Sequence, residues 1–306
     1  MNIMVTGGAG FIGTNFVHYV LKNYPDATVT NVDKLTYAGN KKNLVKDKRH
    51  IFIRRDICDK NLPVENSDII INFAAETHVD RSIQESSIFV KSNILGVQNL
   101  LELCRRHNKK FIHISTDEVY GSVSKPSKES SILNPGNPYS ATKAGADLLV
   151  LSYVNTYNLD ALITRSSNNY GPYQNPEKLI SKLITNAIQD MPLPIYGNGK
   201  NVRDWIFVED NCSGIDAVCR KGKKGEIYNI AGKQECQNVV IAKKILLILN
   251  KMETLIQFVQ DRPGHDQKYS LDITKIKKLG WKPKHTIEQG LEKTIEWYQQ
   301  NTGWWK

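Results

Sequence analysis

Two carboxylates stand side by side, Asp117 and Glu118, in the stretch FIHISTDEVYG (111 to 121), just after an apolar alternation of Phe111, Ile112 and Ile114 that reads as the end of a strand. Adjacent like charges raise one partner's pKa, so one carboxyl can hold a proton while the other is ionised. An elimination of water needs that combination: a base for the carbon-bound proton and an acid for the departing hydroxyl. The protons belong to the pair, so the residue types alone do not say which group carries one at rest. Ser115 to Glu118 also fit a capping box, with Ser115 as cap and Glu118 reaching back from three residues on. Both duties cannot be fully served by Glu118.

A second pair lies in Asn137-Pro-Tyr-Ser-Ala-Thr-Lys143. Asn137 is a suitable cap and Pro138 a suitable first helical residue. Tyr139 and Lys143 then sit one turn apart on one face. A nearby ammonium favours phenolate over phenol, which is expected to lower the tyrosine's pKa toward useful base strength. Such a pair suits removal of an alcohol proton as hydride leaves its carbon.

The elements that must position these groups are legible upstream. Val5-Thr-Gly-Gly-Ala-Gly-Phe-Ile-Gly13 places Gly7, Gly10 and Gly13 between a strand and a helix. In such a loop the first glycine permits the tight turn, the second admits a pyrophosphate to the backbone, and the third lets helix and strand pack closely. The helix N-terminus adds free N–H groups and a positive dipole end. About 20 residues further on, Asp33 ends the second β-rich run, where an acid accepts from an adenosine ribose and repels a 2′-phosphate. NAD is therefore expected over NADP, a preference that the neighbouring Lys34 softens slightly. NIMVTG, TVTNVD, IFIRRDI, DIIINFAA, FIHIST and LDALITRS alternate with helical stretches, which predicts an α/β fold with a doubly wound parallel sheet. After about residue 165 the chain turns to Asn-, Pro-, Gly- and Tyr-rich connections, NNYGPYQNPEKLI, MPLPIYGNGKN and DRPGHD, of the kind that form binding loops. The expected organisation is a dinucleotide-binding domain over 1–165 and a smaller substrate lobe over 166–306, with segments such as YNIAG (228 to 232) free to return to the first domain.

Composition narrows the class. The 306 residues, 40% hydrophobic and 24% charged, suit a globular chain with a sizeable core. The apolar runs are far shorter than the roughly 20 residues of a membrane span. MNIMVTG enters a strand with no basic-then-apolar leader, so a soluble, cytoplasmic protein is expected. Five scattered cysteines, without CxxC or paired histidines, argue for reduced thiols and give no metal site. The net charge of +10 is spread along the chain without an arginine-rich block, so phosphate-bearing ligands are expected and nucleic acid is not.

With these residues in hand, the chain resembles the extended short-chain dehydrogenases/reductases and, within them, the dTDP-glucose 4,6-dehydratases. The resemblance covers nearly the whole chain and rests on VTGGAGFIG, VDKLTYAGN, NFAAETHVDRSI, ISTDEVYG, NPYSATK, SNNYGPYQNPEKLI, NVRDWIFVED and DRPGHD. It implies a Rossmann fold and a tightly held NAD recycled in each turnover. Around that cofactor it implies Gly7, Gly10, Phe11, Ile12 and Gly13 at the phosphates, and Asp33, Lys34, Thr36, Ala38, Gly39, Asp56 and Ile57 on the adenosine side. Ala74, Ala75, Ser92, Tyr139, Lys143 and Asn169 follow along the rest of it. On the substrate side it implies Thr77 and Thr116 at the hexose. Asn168, Lys178, Leu179, Pro194, Ile195, Tyr196, Arg203, Asn238, Asp261, Arg262 and His265 then surround the nucleotide diphosphate, where a guanidinium fork matches phosphate oxygens.

The implied reaction converts dTDP-glucose to its 4-keto-6-deoxy form, as in the making of deoxysugars such as rhamnose. Tyr139 is the base at the C4 hydroxyl, Thr116 bonds the C4 oxygen, Glu118 takes the C5 proton and Asp117 protonates the C6 hydroxyl. An epimerase of the same fold needs no such acid/base pair, whereas UDP or CDP in place of dTDP is not distinguished by spacing. A non-catalytic NAD- or nucleic-acid-binding protein is the alternative from another class. The resemblance also implies a homodimer through the helix after Tyr139, to which Ala144, Gly145 and Ala146 contribute a small-residue face and Leu148, Leu149 and Leu151 apolar surface. Departures are few. The loop between STDEVYG and NPYS and the segment from Asp59 to Asp68 look short, and the chain ends soon after Trp304-Trp305.

Overall fold

A computed structural model of the chain describes residues 1–261 and 266–306. Its strands are β1 (Asn2–Thr6), β2 (Thr28–Asp33), β3 (His50–Arg54), β4 (Ile69–Asn72), β5 (Lys110–Thr116), β6 (Ala161–Ser166), β7 (Asn168–Tyr170), β8 (Leu193–Tyr196), β9 (Val202–Phe207), β10 (Ile227–Ile230), β11 (Glu235–Gln237) and β12 (Ile256–Val259). The first six are the β-rich runs read from the sequence. Among the described residues the main sheet has seven strands, ordered β10-β6-β5-β4-β1-β2-β3, with every neighbouring pair parallel. From β1 the chain steps outward to β2 and β3, and from β4 outward on the other side. The carboxyl ends of β1 and β4 therefore flank the crevice where doubly wound sheets take their ligands.

The helices are α1 (Phe11–Asn23), α2 (Val79–Gln84), α3 (Ser87–Val90), α4 (Val97–Arg106), α5 (Pro138–Tyr157), α6 (Leu179–Ile188), α7 (Val208–Lys221), α8 (Asn238–Ile248), α9 (Thr274–Lys277), α10 (Ile287–Gln300) and α11 (Thr302–Trp305). Strand periodicity of two divides the sheet's side chains between two cores. Ile3, Val5, Ile71 and Ile112 pack with Phe16, Val17 and Val20 of α1 and Ile215 and Val218 of α7. Met4, Ile70, Phe111 and Ile163 face the other way, onto Leu100 and Leu101 of α4 and Ala146 and Val150 of α5. A parallel sheet must be covered on both faces, and all residues of β4 and β6 are buried. Between α3 and α4 the segment Lys91–Gly96 is a π-helix, a local form that often marks functional ground.

Beyond β6 the expected loops contain short strands. SNNYGPY holds β7 and MPLPIY holds β8, while the YNI of YNIAG is β10, returned to the main sheet beside β6. Strands β11, β9 and β7 form one small sheet, and β12 and β8 another. A third core, with Ile180, Leu183 and Ile184 of α6, Ile241 and Ile245 of α8 and Leu291 and Ile295 of α10, backs them. No helix among the described residues is long and apolar enough to cross a membrane.

Candidate active site

Two cavities lie over the carboxyl ends of β1, β4 and β5. The larger, about 310 Å³, is lined by the strand ends of the main sheet and by residues beyond β6, and the smaller, about 90 Å³, shares Gly7, Gly10, Ala38, Phe73 and Ala75 with it. Gly7, Gly10, Phe11, Ile12 and Gly13 line the larger cavity. Asp33, Lys34, Thr36, Ala38, Gly39, Asp56, Ile57, Ala74, Ala75 and Ser92 all line the smaller one. Arg55, Phe73 and Glu76 line it as well and had not been singled out; Phe73 and Glu76 stand inside NFAAETHVDRSI and could have been read there.

The glycine loop has the shape its motif requires. Gly7 has φ +72°, and a Cβ there would lie 2.6 Å from Ala74 N. A Cβ on Gly13 would lie 2.3 Å from the Gly7 carbonyl oxygen, so α1 can approach β1 only without a side chain at that point. Gly10 caps α1 with no side-chain hydrogen bond, leaving the first turn's N–H groups to a ligand. Asp33 accepts from Ala9 N at 2.9 Å and Leu35 N at 2.7 Å, which orients a carboxylate with lone pairs to spare. Lys34 forms an ion pair with Asp56 at 2.7 Å, so its charge is directed there and does less to soften the acid's preference. The loop after β4 is stapled by Asn93 of the π-helix, which accepts from Glu76 N at 2.9 Å and donates to Glu76 O and Thr142 Oγ1.

Thr116, Asp117, Glu118, Tyr139 and Lys143 line the larger cavity together with Thr77, Asn168, Asn169, Lys178 and Leu179. Strand β5 ends at Thr116, and Asp117–Tyr120 form one 3-10 turn. Thr116, and not Ser115, is its cap, accepting from Glu118 N at 3.3 Å. The capping-box expectation is corrected on this point: the strand runs one residue further than a Ser115 cap allows. Burial holds the Asp117 carboxyl well above the usual range, reinforced by the charges of Glu118 and Asp204 and opposed by Arg203. That direction suits Asp117 to hold a proton, while the two carboxyls titrate as a coupled pair.

Helix α5 begins as the sequence predicts, with Pro138 in its first turn and Asn137 accepting from Ser140 N at 3.0 Å in a capping box. The expected lowering of Tyr139 does not occur in the protein alone. Burial, then the charge of Glu118, holds its phenol well above the ordinary value, and the Thr116 hydroxyl acts weakly against this. The Lys143 ammonium is engaged elsewhere: it donates to Ile114 O at 2.6 Å and lies 3.2 Å from His113 Nε2. Burial has itself lowered the Lys143 pKa to about 8.

Several buried polar atoms in the cavity wall lack a hydrogen-bond partner among the described residues: Asp117 Oδ2, Asn168 Oδ1, Asn169 Oδ1 and the Trp205 indole nitrogen. Burying such atoms unsatisfied is costly, so this wall is built for a polar ligand. The open glycine loop, the oriented Asp33 and these waiting groups fit a dinucleotide beside a polyhydroxylated substrate.

The remaining substrate-side residues among those described do not line the cavity. Ile195 is fully buried in the third core, Pro194 adjoins it in β8, and the hydroxyl of Tyr196 donates to Asp80 at 3.4 Å. Asn238 is buried at the start of α8. Arg203 is 5% exposed, donates to the carbonyls of Val202, Asp266 and Gln267, and stacks on Tyr269 at 4.5 Å. Its two terminal nitrogens are thus anchored on backbone carbonyls. Asp261 is the last described residue before the gap, and Arg262 and His265 lie outside the described residues. Gln174, Asn175 and Glu177, which do line the cavity, sit within the quoted SNNYGPYQNPEKLI but were not singled out.

A doubly wound sheet with a glycine loop, and a Tyr-xxx-Lys helix beside it, defines an extended short-chain dehydrogenase/reductase. The chain belongs to the GDP-mannose 4,6 dehydratase family, whose model matches residues 4–294. It is 50% identical to the low-salt glycan biosynthesis protein Agl12 of Haloferax volcanii, over 97% of this chain and 98% of that protein. It is 47% identical to a dTDP-glucose 4,6-dehydratase of Streptomyces niveus, over 100% of this chain and 95% of the relative. Among solved structures it is similar to DesIV, a dTDP-glucose 4,6-dehydratase from Streptomyces venezuelae with NAD and dTDP bound, at 46% identity and a TM-score of 0.97, covering 100% and 99% of the two chains.

Proposed function

We propose that the chain is an NAD-dependent dTDP-glucose 4,6-dehydratase. The observation that carries this reading is the Asp117–Glu118 pair, with the Asp117 carboxyl raised by burial, in one cavity with Tyr139 and Lys143. An epimerase would need the tyrosine and lysine but not the acid beside a base. NAD, when bound, supplies the acceptor and later donor of hydride that leaves the cycle redox-neutral. The chain's own groups do the rest. Tyr139 receives the C4 hydroxyl proton, and Thr116 holds the C4 oxygen. The ketone at C4 acidifies the C5 hydrogen, which passes to Glu118, and Asp117 gives its proton to the leaving C6 hydroxyl; as hydride returns to C6, Glu118 gives its proton back to C5. One group must act as base while its neighbour acts as acid, and burial beside Glu118 favours the acid form of Asp117.

Purified protein given dTDP-glucose, without added reduced nicotinamide, should yield the 4-keto-6-deoxy sugar. Absence of that product from dTDP-, UDP- and CDP-glucose alike would overturn the assignment. A faster reaction with UDP- or CDP-glucose would keep the chemistry and move the nucleotide preference.

The Lys143 ammonium should matter through pH. Its pKa is depressed to about 8, so the charged form prevails below that value and is lost as pH rises through it. Reduction of bound nicotinamide by substrate, followed in a stopped-flow instrument, should therefore slow above about pH 8. A rate still climbing well past that point would show that the lysine's charge is not what the step uses.

The proposal includes a cytoplasmic homodimer, a place in deoxysugar formation such as that of rhamnose, and a division into an NAD-binding domain over 1–165 and a nucleotide-sugar lobe over 166–306, with β10 in the first. Exposed apolar side chains on and beside α5 support the pairing: Ile83, Val90, Leu95 and Leu148. Ala144 and Ala146 are buried within the subunit and Gly145 faces Ile94, so the contact would use the leucine side of α5 and not its small residues.

A further inference from the structure

We propose that Trp304 is a positioning residue for the dinucleotide, acting through Asn43 on the glycine loop. The inference rests on the reading of the two cavities as an NAD site. Trp304 belongs to the one-turn helix α11, and its ring packs against Trp297, Tyr298 and Tyr173 at centroid distances of 5.0, 6.4 and 6.3 Å. Its indole nitrogen donates to Asn43 Oδ1 at 2.6 Å. Asn43 is 3% exposed, and its Nδ2 donates in turn to Ala9 O at 2.8 Å. Ala9 stands between Gly8 and Gly10, and its N–H is the donor that fixes Asp33 Oδ2 at 2.9 Å. A continuous chain of hydrogen bonds therefore runs from the end of the second lobe through the phosphate loop to the acid placed for the adenosine ribose.

The direction of each bond is determined by chemistry. An indole N–H can only donate and a carbonyl can only accept, so the Asn43 amide has one workable orientation. Ala9 O also accepts from Asn40 N at 3.1 Å, which ties the turn before Lys41–Asn43 to the same atom. Lys42 Nζ donates to Gly303 O, a second clasp between the same two segments. A glycine-rich loop has few side chains of its own to hold its shape. An external hydrogen bond at Ala9 narrows its freedom before a ligand arrives, and affinity gained that way is preorganisation. The tail's role is thus to hold the loop, with no contact to the reacting atoms.

The test uses the protein purified with its NAD and measures the rate at which NAD is lost on repeated ultrafiltration, beside the thermal midpoint of each variant. Trp304→Phe keeps an aromatic ring in the cluster and removes only the donor. It should speed NAD loss roughly two- to ten-fold, the net worth of one hydrogen bond. Asn43→Asp should speed it at least as much, because it sets a carboxylate oxygen against the Ala9 carbonyl. Trp305→Phe is the control: its indole donates to Tyr298 O at 2.9 Å, a bond of the same kind that stays within the second lobe, and NAD loss should not change. Equal loss from Trp304→Phe and the original protein would overturn the proposal, as would equal acceleration by Trp304→Phe and Trp305→Phe. An original protein that carries no NAD and takes up none would instead overturn the dinucleotide reading beneath it.

Discussion

Tyr139→Phe should lower turnover of dTDP-glucose about 10²- to 10⁴-fold, the range that a positioned general base contributes. That corresponds to roughly 3 to 5 kcal/mol of barrier. The loss should fall on the first step, so reduced nicotinamide should not accumulate on mixing the variant with substrate. Fold stability should change little. Tyr139 is 7% exposed, its ring stays in phenylalanine, and what its hydroxyl meets is the Thr116 hydroxyl in the cavity wall. A variant that still reduced its nicotinamide at the original rate would remove Tyr139 from the role of base. The high phenol pKa in the protein alone adds a condition. Burial and the Glu118 charge oppose ionisation, so the tyrosine becomes a competent base only when positive charge is brought beside it, by Lys143 and by an oxidised nicotinamide.

Glu118→Gln and Asp117→Asn should each slow product formation about 10²-fold or more, and they should fail at different points. Glu118→Gln should still permit oxidation at C4, seen as the near-ultraviolet absorbance of reduced nicotinamide, while exchange of the C5 hydrogen with deuterated solvent slows. Asp117→Asn removes the transferable proton from the group whose neutral form burial favours. It should leave C4 oxidation intact and block departure of the C6 hydroxyl. Unchanged C5 exchange in Glu118→Gln would show that Glu118 is not the base, and loss of exchange in Asp117→Asn alone would reverse the two roles. Rate against pH carries a matching sign. Asp117 is protonated below its raised pKa, so elimination should fall as pH rises through that value, opposite to the behaviour of a carboxylate acting as base.

Much of this site could be read from the amino acids because its parts are local. A glycine triplet between strand and helix, an acid about 20 residues on, and a tyrosine and lysine one helical turn apart depend on spacing that secondary structure makes regular. The π-helix that staples Glu76 through Asn93 left no comparable mark, because its irregularity is stabilised by partners distant in the chain. The Arg203 fork was legible as chemistry but not as geometry. Its carbonyl partners at Asp266 and Gln267 are brought to it by the return of the chain after β12.

By itself the sequence determined the alternating strands and helices, the dinucleotide loop, and the presence of a base, an ammonium and two carboxylates, since each follows from neighbours within one or two turns. Only the tertiary structure gave the two carboxyls different surroundings. Asp117 and Glu118 have the same chemistry and adjacent positions, and what separates them is the burial of Asp117 beside the charge of Asp204 on β9, where Glu118 is only partly buried. The link from Trp304 through Asn43 to the glycine loop is likewise a product of folding, because no local rule ties residues 261 positions apart.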